Sequence, residues 1–258
     1  MNLSSSSAIV TGGGSGLGEA TARALADAGV AVTVVDIDEQ GGARVAAEIG
    51  GAYARADVAD SADVAVAIDL AIEHAPLRVA VNCAGIPSLE RTVGSDGRYD
   101  SAHNLDRFRR VVEVNLIGTF NVTRLAATAM SQNDPDPDGC RGVILNTSSV
   151  AAFEGQVGQV AYSASKGGVV GLTLPLARDL ASVGVRVNTL APGLIETPIY
   201  GEGPDAEQFK AHLAKDVVFP RRLGRAEEFA DLAVAIITNA YVNGETIRVD
   251  GGVRLPRK

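Results

Sequence analysis

Short apolar runs alternate with longer alanine-rich segments from one end of the chain to the other. The runs are rich in β-branched residues and apolar on both faces, which is typical of parallel strands buried within a sheet. The predicted strands are Ala8–Thr11, Ala31–Val35, Ala52–Ala56, Arg78–Val81, Gly142–Asn146, Val185–Leu190 and Glu245–Val249. Strand followed by helix, repeated six times, predicts a doubly wound α/β fold with a seven-stranded parallel sheet, a Rossmann fold.

The segments between the strands carry apolar residues at helical spacing. In the first of them one stripe comprises Leu17, Ala20, Thr21, Ala24, Leu25 and Ala28, and Gly29 ends it. No linker rich in Pro, Gly or Ser divides the 258 residues, so we expect one domain over residues 1–258. Residues 86–104 and 192–215 interrupt the pattern and are expected to be substrate loops, because ligands of such sheets bind beyond the carboxyl ends of the strands.

Charge and composition exclude several classes of protein. The formal net charge of −8 argues against a partner that is a nucleic acid or an anionic membrane surface. No stretch of 18 apolar residues lacks a charge, and the N-terminus has no signal-peptide pattern, so we expect a cytoplasmic protein that spans no membrane. Cys83 and Cys140 lie far apart, and His74, His103 and His212 lack metal-ligand spacing, so no metal site is expected.

A glycine-rich turn directly follows the first predicted strand. Residues 11–18 read Thr-Gly-Gly-Gly-Ser-Gly-Leu-Gly, which places Gly12, Gly16 and Gly18 between a strand and a helix together with Ser15 and Leu17. Backbone N–H groups and the positive end of a helix dipole converge in such a turn and suit a pyrophosphate. The spacing differs from the usual GxGxxG and would be weak evidence elsewhere in a chain. Its position between strand and helix favours dinucleotide binding over a merely structural turn.

The next strands end in residues that suit the rest of a dinucleotide. Asp36 follows the second strand, where a carboxylate accepts hydrogen bonds from ribose hydroxyls and repels a 2′-phosphate; this favours NAD over NADP. The alternative is a solvated acidic turn. Asp57 and Val58 close the third strand and are predicted to flank the adenine. The fourth ends in the small residues Cys83, Ala84 and Gly85, which allow close approach of the backbone to a cofactor.

A tyrosine and a lysine stand one helical turn apart. Tyr162 and Lys166 share a helix face, and Ser149 precedes Tyr162 by 13 residues. An ammonium at about 4 Å, with an effective dielectric of about 20, would stabilise a phenolate by roughly 4 kcal/mol. That energy would lower a phenol pKa of about 10 by up to about three and make Tyr162 a general base. Such a pair alone is more often an ordinary surface pair; Ser149, Asn115 and the glycine turn favour the catalytic interpretation.

Together these motifs resemble the short-chain dehydrogenase/reductase family. The resemblance covers nearly the whole chain and rests on Thr11-Gly-x-x-x-Gly-x-Gly18, Asp36, Asp57, Asn82-x-Ala84-Gly85, Asn115, Ser149, Tyr162-x-x-x-Lys166, Pro192-Gly193 and Thr197. It implies that Ser149 polarises the substrate oxygen, that Tyr162 transfers the proton, and that Lys166 binds the nicotinamide ribose. It also implies that Asn115 holds a water molecule in a proton relay.

Within that family the chain is most similar to 3-hydroxyacyl-CoA dehydrogenases, in the run from Asn146 to Gln159, in Tyr162–Gly168 and in Leu174–Leu180. This similarity implies interconversion of a 3-hydroxyacyl-CoA and a 3-ketoacyl-CoA, with Ser149, Gln156 and Tyr162 at the substrate and a homotetramer as the assembly. The cofactor contacts that the resemblance implies are Gly12, Ser15, Gly16, Leu17, Gly18, Asp36, Asp57, Val58, Cys83, Ala84, Gly85, Tyr162, Lys166, Pro192, Gly193, Ile195 and Thr197.

The loop after Gly85 departs from that subgroup in its basic residues. It holds two arginines and two acids before Tyr99, so Arg91, Arg98 and Arg107 are the candidates for contact with CoA phosphates. Two alternatives stay open: the same chemistry on a hydroxysteroid, polyol or other small secondary alcohol, and a non-catalytic NAD-binding scaffold. Intact Ser149 and Tyr162 argue against the scaffold, which would need neither.

Overall fold

The structure is a computed structural model that describes residues 3–201 and 203–257. Its strands are β1 (Ser7–Thr11), β2 (Ala31–Asp36), β3 (Ala52–Arg55), β4 (Leu77–Asn82), β5 (Gly142–Thr147), β6 (Val185–Pro192) and β7 (Thr246–Val249). Its α-helices are α1 (Gly16–Asp27), α2 (Glu39–Glu48), α3 (Ser61–His74), α4 (Leu105–Val112), α5 (Thr119–Met130), α6 (Ala151–Glu154), α7 (Val160–Leu180), α8 (Pro204–Leu213) and α9 (Ala226–Thr238). A π-helical turn, Glu113–Gly118, joins α4 to α5.

All seven strands pair in parallel in the order β3-β2-β1-β4-β5-β6-β7, which confirms the predicted doubly wound sheet. Most strands run one or two residues beyond the predicted end. The additional residues at the carboxyl ends include Asp36, Asn82, Thr147 and Pro192. These are polar or lack an N–H, so the apolar pattern ended before them, yet each keeps a ladder partner. The extra residues therefore place candidate functional side chains at the carboxyl ends of the strands.

The core has two layers, one on each face of the sheet. One layer packs β-strand side chains against α3, α5 and α7, and the other packs them against α1, α2 and α9. The predicted stripe of α1 is right in part: Thr21 and Leu25 are buried, Ala22 is buried as well, and Ala28 is an exposed helix cap. Ala28 lies beyond the last helical residue, Asp27, and precedes Gly29, whose φ of 83° ends the helix.

The chain reverses its winding direction between β1 and β4. The strands on one side of β1 are β2 and β3, and those on the other side are β4 to β7. A crevice opens at the carboxyl ends of the strands at such a switch point. Within the described ranges, no helix is long and apolar enough to span a membrane.

Candidate active site

A cleft of about 370 Å³ lies at this switch point. All predicted cofactor residues line it except Gly193 and Ile195. Gly193 lies outside because it packs against Asp250 and donates a hydrogen bond from its N to the Val249 carbonyl at 3.0 Å. Ile195 is buried and pairs with Gly224 through an isolated bridge. The two residues therefore shape the loop after β6 from behind rather than from within the cleft.

The glycine turn has no room for side chains. Gly12 and Gly16 have φ of 64° and 53°, in the left-handed region. A Cβ on Gly12 would lie 2.8 Å from the Ala84 backbone, and one on Gly18 would overlap the Gly12 carbonyl. Helix α1 begins at Gly16, and the Ser15 side chain makes no capping hydrogen bond to it. The free N–H groups of the first turn and the close backbone approach thus fit a pyrophosphate.

At the end of β2 the Asp36 carboxylate is held by backbone amides. Its Oδ2 accepts from Gly14 N at 2.9 Å, and its Oδ1 accepts from Asp38 N at 2.9 Å. The Tyr53 hydroxyl donates to the Asp36 carbonyl at 3.1 Å and ties β3 to the same position. The carboxylate is therefore fixed in the cleft, at the place where a ribose diol would lie beyond the glycine turn.

Asp57 is held by a residue that the sequence did not identify. Its carboxylate accepts from Ala59 N at 3.0 Å and from Arg110 Nη2 at 2.9 Å, and Arg110 itself lines the cleft. Burial opposes ionisation of this carboxyl, but the hydrogen bonds from Ala59 and Arg110 outweigh it and lower the pKa of Asp57. Arg110 gave no signal in the sequence because its partner stands 53 positions away.

Lys166 lies at the floor of the cleft. Its Nζ donates to the Thr147 carbonyl at 2.8 Å and lies 5.8 Å from the centroid of the Tyr162 ring. Burial lowers the pKa of Lys166 to about 8, and the nearby Cys83 thiol acts in the opposite direction. Thr147 and Ser148 also line the cleft and were missed by the sequence analysis; the Ser148 hydroxyl donates to the Lys166 carbonyl at 2.8 Å.

The predicted fall in the pKa of Tyr162 is wrong for this structure. Burial raises the pKa of the Tyr162 phenol above its ordinary value, and a hydrogen bond with the Ser149 hydroxyl opposes that rise only in part. The reason is geometric: the Lys166 ammonium points to the Thr147 carbonyl rather than to the phenol. The expected partners nevertheless lie close together: Tyr162 and Lys166 line the cleft, and Ser149, which is not part of the lining, is hydrogen-bonded to Tyr162.

Ser149 follows β5 and is almost buried, with 9% of its surface exposed. Its Oγ accepts from Ala151 N at 3.1 Å, in the first turn of α6. A hydroxyl that accepts from the backbone keeps its own proton for a further acceptor. The arrangement leaves Ser149 able to donate to a substrate oxygen beside Tyr162.

Asn115 lies in the π-helical turn, behind the cleft. Its Oδ1 accepts from Ile86 N at 2.8 Å, and its Nδ2 donates to the Ile86 carbonyl at 3.0 Å and to Ser165 Oγ at 3.1 Å. A Cβ on Gly85 would lie 3.2 Å from Asn115 Oδ1 and 3.4 Å from Lys166 Nζ. Asn115 therefore holds the chain after β4 in place, and only a glycine separates it from Lys166.

Of the predicted substrate residues outside the catalytic group, Gln156, Arg91 and Arg98 lie on loops, and Arg107 lies on α4. Gln156 lies between α6 and α7, and its Nε2 donates to the Pro256 carbonyl at 3.1 Å. Arg98 pairs with Asp100, and Arg107 lies 3.8 Å from the Glu90 carboxylate. Arg91 is exposed. None of these four residues belongs to the lining of the cleft itself.

The remaining lining residues are apolar positions beside those that were predicted. They are Val35, Ile37, Ala56, Ile86, Pro87, Val114 and Pro198. They surround a flat space between the strand ends, and their hydrophobic character is that of the core, so no sequence signal distinguishes them. Among the described residues, no cluster of three or more His, Cys, Asp or Glu side chains could hold a metal ion.

Comparison with known proteins agrees with the fold. Residues 6–208 match the family described as short chain dehydrogenase. The chain is 52% identical over 251 residues to 3-hydroxyacyl-CoA dehydrogenase type-2 of Bos taurus and 51% identical to that of Homo sapiens; each alignment covers 96% of this chain and 95% of the relative. A crystal structure of 3-hydroxyacyl-CoA dehydrogenase type-2 from Mycobacterium avium superimposes with a TM-score of 0.92 at 41% identity, covering 98% of both chains. With this fold, this site and these similarities, the chain belongs to the short-chain dehydrogenase family.

Proposed function

We propose that the protein is an NAD-dependent dehydrogenase that interconverts a 3-hydroxyacyl-CoA and a 3-ketoacyl-CoA. The observation that carries the chemistry is that Tyr162 and Lys166 line the same cleft as the glycine turn, with the Ser149 hydroxyl hydrogen-bonded to Tyr162. The substrate class is supported by the relatives that share about half of their residues with this chain over 96% of its length. Membership of the family implies a nicotinamide cofactor, and the position of the Asp36 carboxylate favours NAD over NADP.

The cofactor's two halves fit different parts of the cleft. Gly12, Gly16 and Gly18 would hold the pyrophosphate, and Asp36 the adenosine ribose. Asp57 and Val58 would flank the adenine, and Lys166 would bind the ribose at the other end. When bound, a nicotinamide supplies the acceptor or donor of the hydride.

The protein's own residues supply the proton and hold the oxygen. Tyr162 is protonated at neutral pH because burial raises its pKa, so in ketone reduction it donates its proton to the substrate oxygen. Ser149 donates a hydrogen bond to the same oxygen and stabilises the charge that develops there. In alcohol oxidation the roles reverse: Tyr162 must first lose its proton and then accept one from the hydroxyl. Lys166 gives only a weak electrostatic bias toward that step, because its Nζ lies 5.8 Å from the centroid of the Tyr162 ring and donates to the Thr147 carbonyl.

The proposal extends to the loops that would contact the substrate and to the oligomeric state. We place the CoA moiety toward residues 86–104 and 192–215, with Arg91, Arg98 and Arg107 as the candidate phosphate contacts. Gln156 would border the acyl group. The chain is proposed to act as one domain over residues 1–258, in a cytoplasmic homotetramer. The alternatives are a hydroxysteroid, polyol or other small secondary alcohol as substrate, and a scaffold that binds NAD without turnover.

Replacing Tyr162 by Phe tests the mechanism. We expect kcat for acetoacetyl-CoA reduction to fall by about 10²–10⁴-fold, because that is the usual contribution of a positioned acid or base. The dissociation constant of NADH, measured by fluorescence, should stay within about twofold. Tyr241, which is fully exposed, gives the matched control Tyr241→Phe with wild-type kinetics. A wild-type rate for Tyr162→Phe would show that the assignment is wrong.

A substrate panel tests the substrate class. Acetoacetyl-CoA should be reduced with a higher kcat/KM than ketosteroids or small ketones, measured with NADH under the same conditions. A better steroid or polyol substrate would replace the acyl-CoA proposal and leave the mechanism intact. Binding of NAD without turnover of any member of the panel would favour the scaffold.

A further inference from the structure

The short helix that follows Ser149 is too short to be stable on its own. Helix α6 comprises four residues, Ala151–Glu154, which form a single turn. A helix of one turn is unstable alone, because nucleation costs more than one turn of hydrogen bonds returns. The backbone N of its first residue, Ala151, nevertheless fixes Ser149 Oγ at 3.1 Å. The position of Ser149 therefore depends on whatever holds α6.

Glu154, the last residue of α6, is hydrogen-bonded to residues near the end of the chain. The Glu154 carboxylate accepts from Arg248 Nη1 at 2.8 Å, from Arg248 Nη2 at 3.2 Å and from Leu255 N at 3.1 Å, and Arg254 Nε lies 3.3 Å from it. Hydrogen bonding by Arg248 lowers the pKa of Glu154, so the Glu154 carboxyl is ionised at neutral pH. Arg248 also stacks over the Phe153 ring, with 5.5 Å between the guanidinium carbon and the ring centroid.

The C-terminal segment, residues 250–257, is itself anchored to the sheet. Arg248, on β7, donates from Nε to Asp250 at 2.6 Å and from Nη2 to the Val253 carbonyl at 2.9 Å. The Val253 side chain is fully buried. Farther along, the Pro256 carbonyl accepts from Gln156 Nε2 at 3.1 Å. The segment thus crosses from the edge strand to the loop that follows α6.

That loop also touches the helix of the catalytic tyrosine. A Cβ on Gly155 would overlap the hydroxyl of Ser163, the neighbour of Tyr162 on α7. Gly155 follows Glu154 directly, so a shift of Glu154 moves the chain against α7. Glu154 consequently connects two positions that must be held together, the Ser149 side and the Tyr162 side.

We propose that the C-terminal segment fixes α6 in place through its contacts with Glu154, and we call this segment the strap. Glu154 is then a positioning residue, because its contacts with the strap keep Ser149 and Tyr162 in their relative positions. This inference rests on the proposed function, since it concerns the geometry of the same site. Glu154 touches neither substrate nor cofactor in this role. The strap predicts that the end of the chain, about 100 positions from Ser149, controls the rate of the chemical step.

The test is the variant Glu154→Gln, with Glu48→Gln as its matched control. Glu48 also pairs with two arginines, Arg23 and Arg44, but at the exposed C-terminal end of α2. We expect kcat/KM for acetoacetyl-CoA to fall at least about tenfold in Glu154→Gln, because a misplacement of about 1 Å costs up to about 10²-fold in rate. The NADH dissociation constant should stay within about twofold. The control should match wild type in both quantities.

A second measurement separates positioning from a loss of stability. Hydrogen exchange of the amides of residues 149–158 should be faster in Glu154→Gln than in wild type or Glu48→Gln, well below the unfolding temperature. The loss in log kcat/KM of the double variant Glu154→Gln/Arg248→Met should be smaller than the sum of the losses in the two single variants, because both break the same pair, and additive losses would contradict this coupling. A lower Tm with unchanged kcat/KM at 25 °C would overturn the proposal.

Failure of the substrate proposal is distinguishable from failure of the strap. If wild type does not reduce acetoacetyl-CoA, the proposed function fails, and the rates are compared on the best ketone of the panel. If no ketone is turned over, exchange at residues 149–158 decides: faster exchange in Glu154→Gln supports the strap, and unchanged exchange overturns it.

Discussion

Tyr162 and Lys166 show how burial decides which form of a residue is present. Burial favours the neutral form of both groups, so it raises the pKa of the phenol and lowers that of the ammonium to about 8. The two groups carry opposite charges when ionised, and each would favour ionisation of the other at short range. Here the ammonium donates instead to the Thr147 carbonyl, and burial prevails.

The direction of the Tyr162 pKa predicts how the two reactions depend on pH. Oxidation needs the phenolate, whose fraction rises about tenfold per pH unit below the pKa, so kcat/KM for oxidation should rise steeply from pH 6.5 to about 8. Above that range Lys166 loses its own charge and the rise should weaken. Reduction needs the protonated phenol, so kcat/KM for reduction should stay nearly flat over the same range. Steady-state kinetics in both directions measure this; a flat oxidation profile would contradict it.

Asp36 is the residue that should set the choice between NAD and NADP. In Asp36→Ala the carboxylate that accepts from Gly14 and Asp38 is lost, and with it both a ribose contact and the repulsion of a 2′-phosphate. The ratio of kcat/KM for NADH to that for NADPH should fall by at least about tenfold, since a charge-assisted hydrogen bond contributes about 1.5–3 kcal/mol. Asp69→Ala, at an exposed position on α3, is the control. An unchanged ratio would remove Asp36 from this role.

At the scale of an element, the glycine turn is the part of the fold that tolerates substitution least. Its backbone passes so close to Cys83 and Ala84 that no side chain fits, and the same closeness brings N–H groups to the cleft. The helix that starts there, α1, then packs on α9 through its buried face. Structure and ligand binding thus impose the same constraint on one short segment.

Replacing Gly18 by Ala tests that constraint. The new methyl group would overlap the Gly12 carbonyl, so we expect the free energy of unfolding to fall by about 1–3 kcal/mol and NADH binding to weaken at least about tenfold. Gly171→Ala is the contrasting control, because a Cβ there meets nothing within 4 Å inside α7. That variant should be neutral or more stable by up to about 1 kcal/mol. Chemical unfolding at one protein concentration compares them, and a stable, NADH-binding Gly18→Ala variant would contradict the expected overlap.

At the scale of the molecule, the long helices present apolar side chains to solvent. Ile117 in the π-helical turn, Phe120 at the start of α5 and Leu174 on α7 are 52%, 42% and 45% exposed. Near β7, Phe219 is also exposed. Exposed apolar patches mark interaction sites. The resemblance to the family implies that the helices around Asn115 and Tyr162 and the C-terminal strand form the subunit interfaces, and we propose that these apolar side chains are covered there.

Light scattering should therefore give a mass near four times the 26.5 kDa of one chain. Phe120→Glu should lower that mass, because a carboxylate placed in an apolar interface must be desolvated without a partner. Val66→Glu changes a more exposed apolar residue on α3, outside the expected interfaces, and should leave the mass unchanged. The mass of a single chain for wild type would show that the proposed homotetramer is wrong.

The sequence by itself determined what depends on local spacing. Alternation of apolar runs and helical stripes specifies the order of strands and helices, and right-handed crossovers then restrict the topology of the sheet. Tyr162 and Lys166 share a face because four residues make about one helical turn. The glycine turn was visible because its residues are neighbours in the chain. Asp36, Asp57 and the residues after β4 could be placed because parallel strands end at one edge of the sheet.

Only the tertiary structure decided what depends on contacts between distant segments. Arg110 reaches Asp57 across 53 positions, and Glu154 meets Arg248 across 94. Gly193 and Ile195 lie behind the cleft because Asp250 and Gly224 pack against them. The pKa of Tyr162 rises rather than falls because burial and the direction of the Lys166 ammonium are properties of the packed fold. Local periodicity carries no information about these terms, since each depends on which surfaces meet once all the elements are assembled.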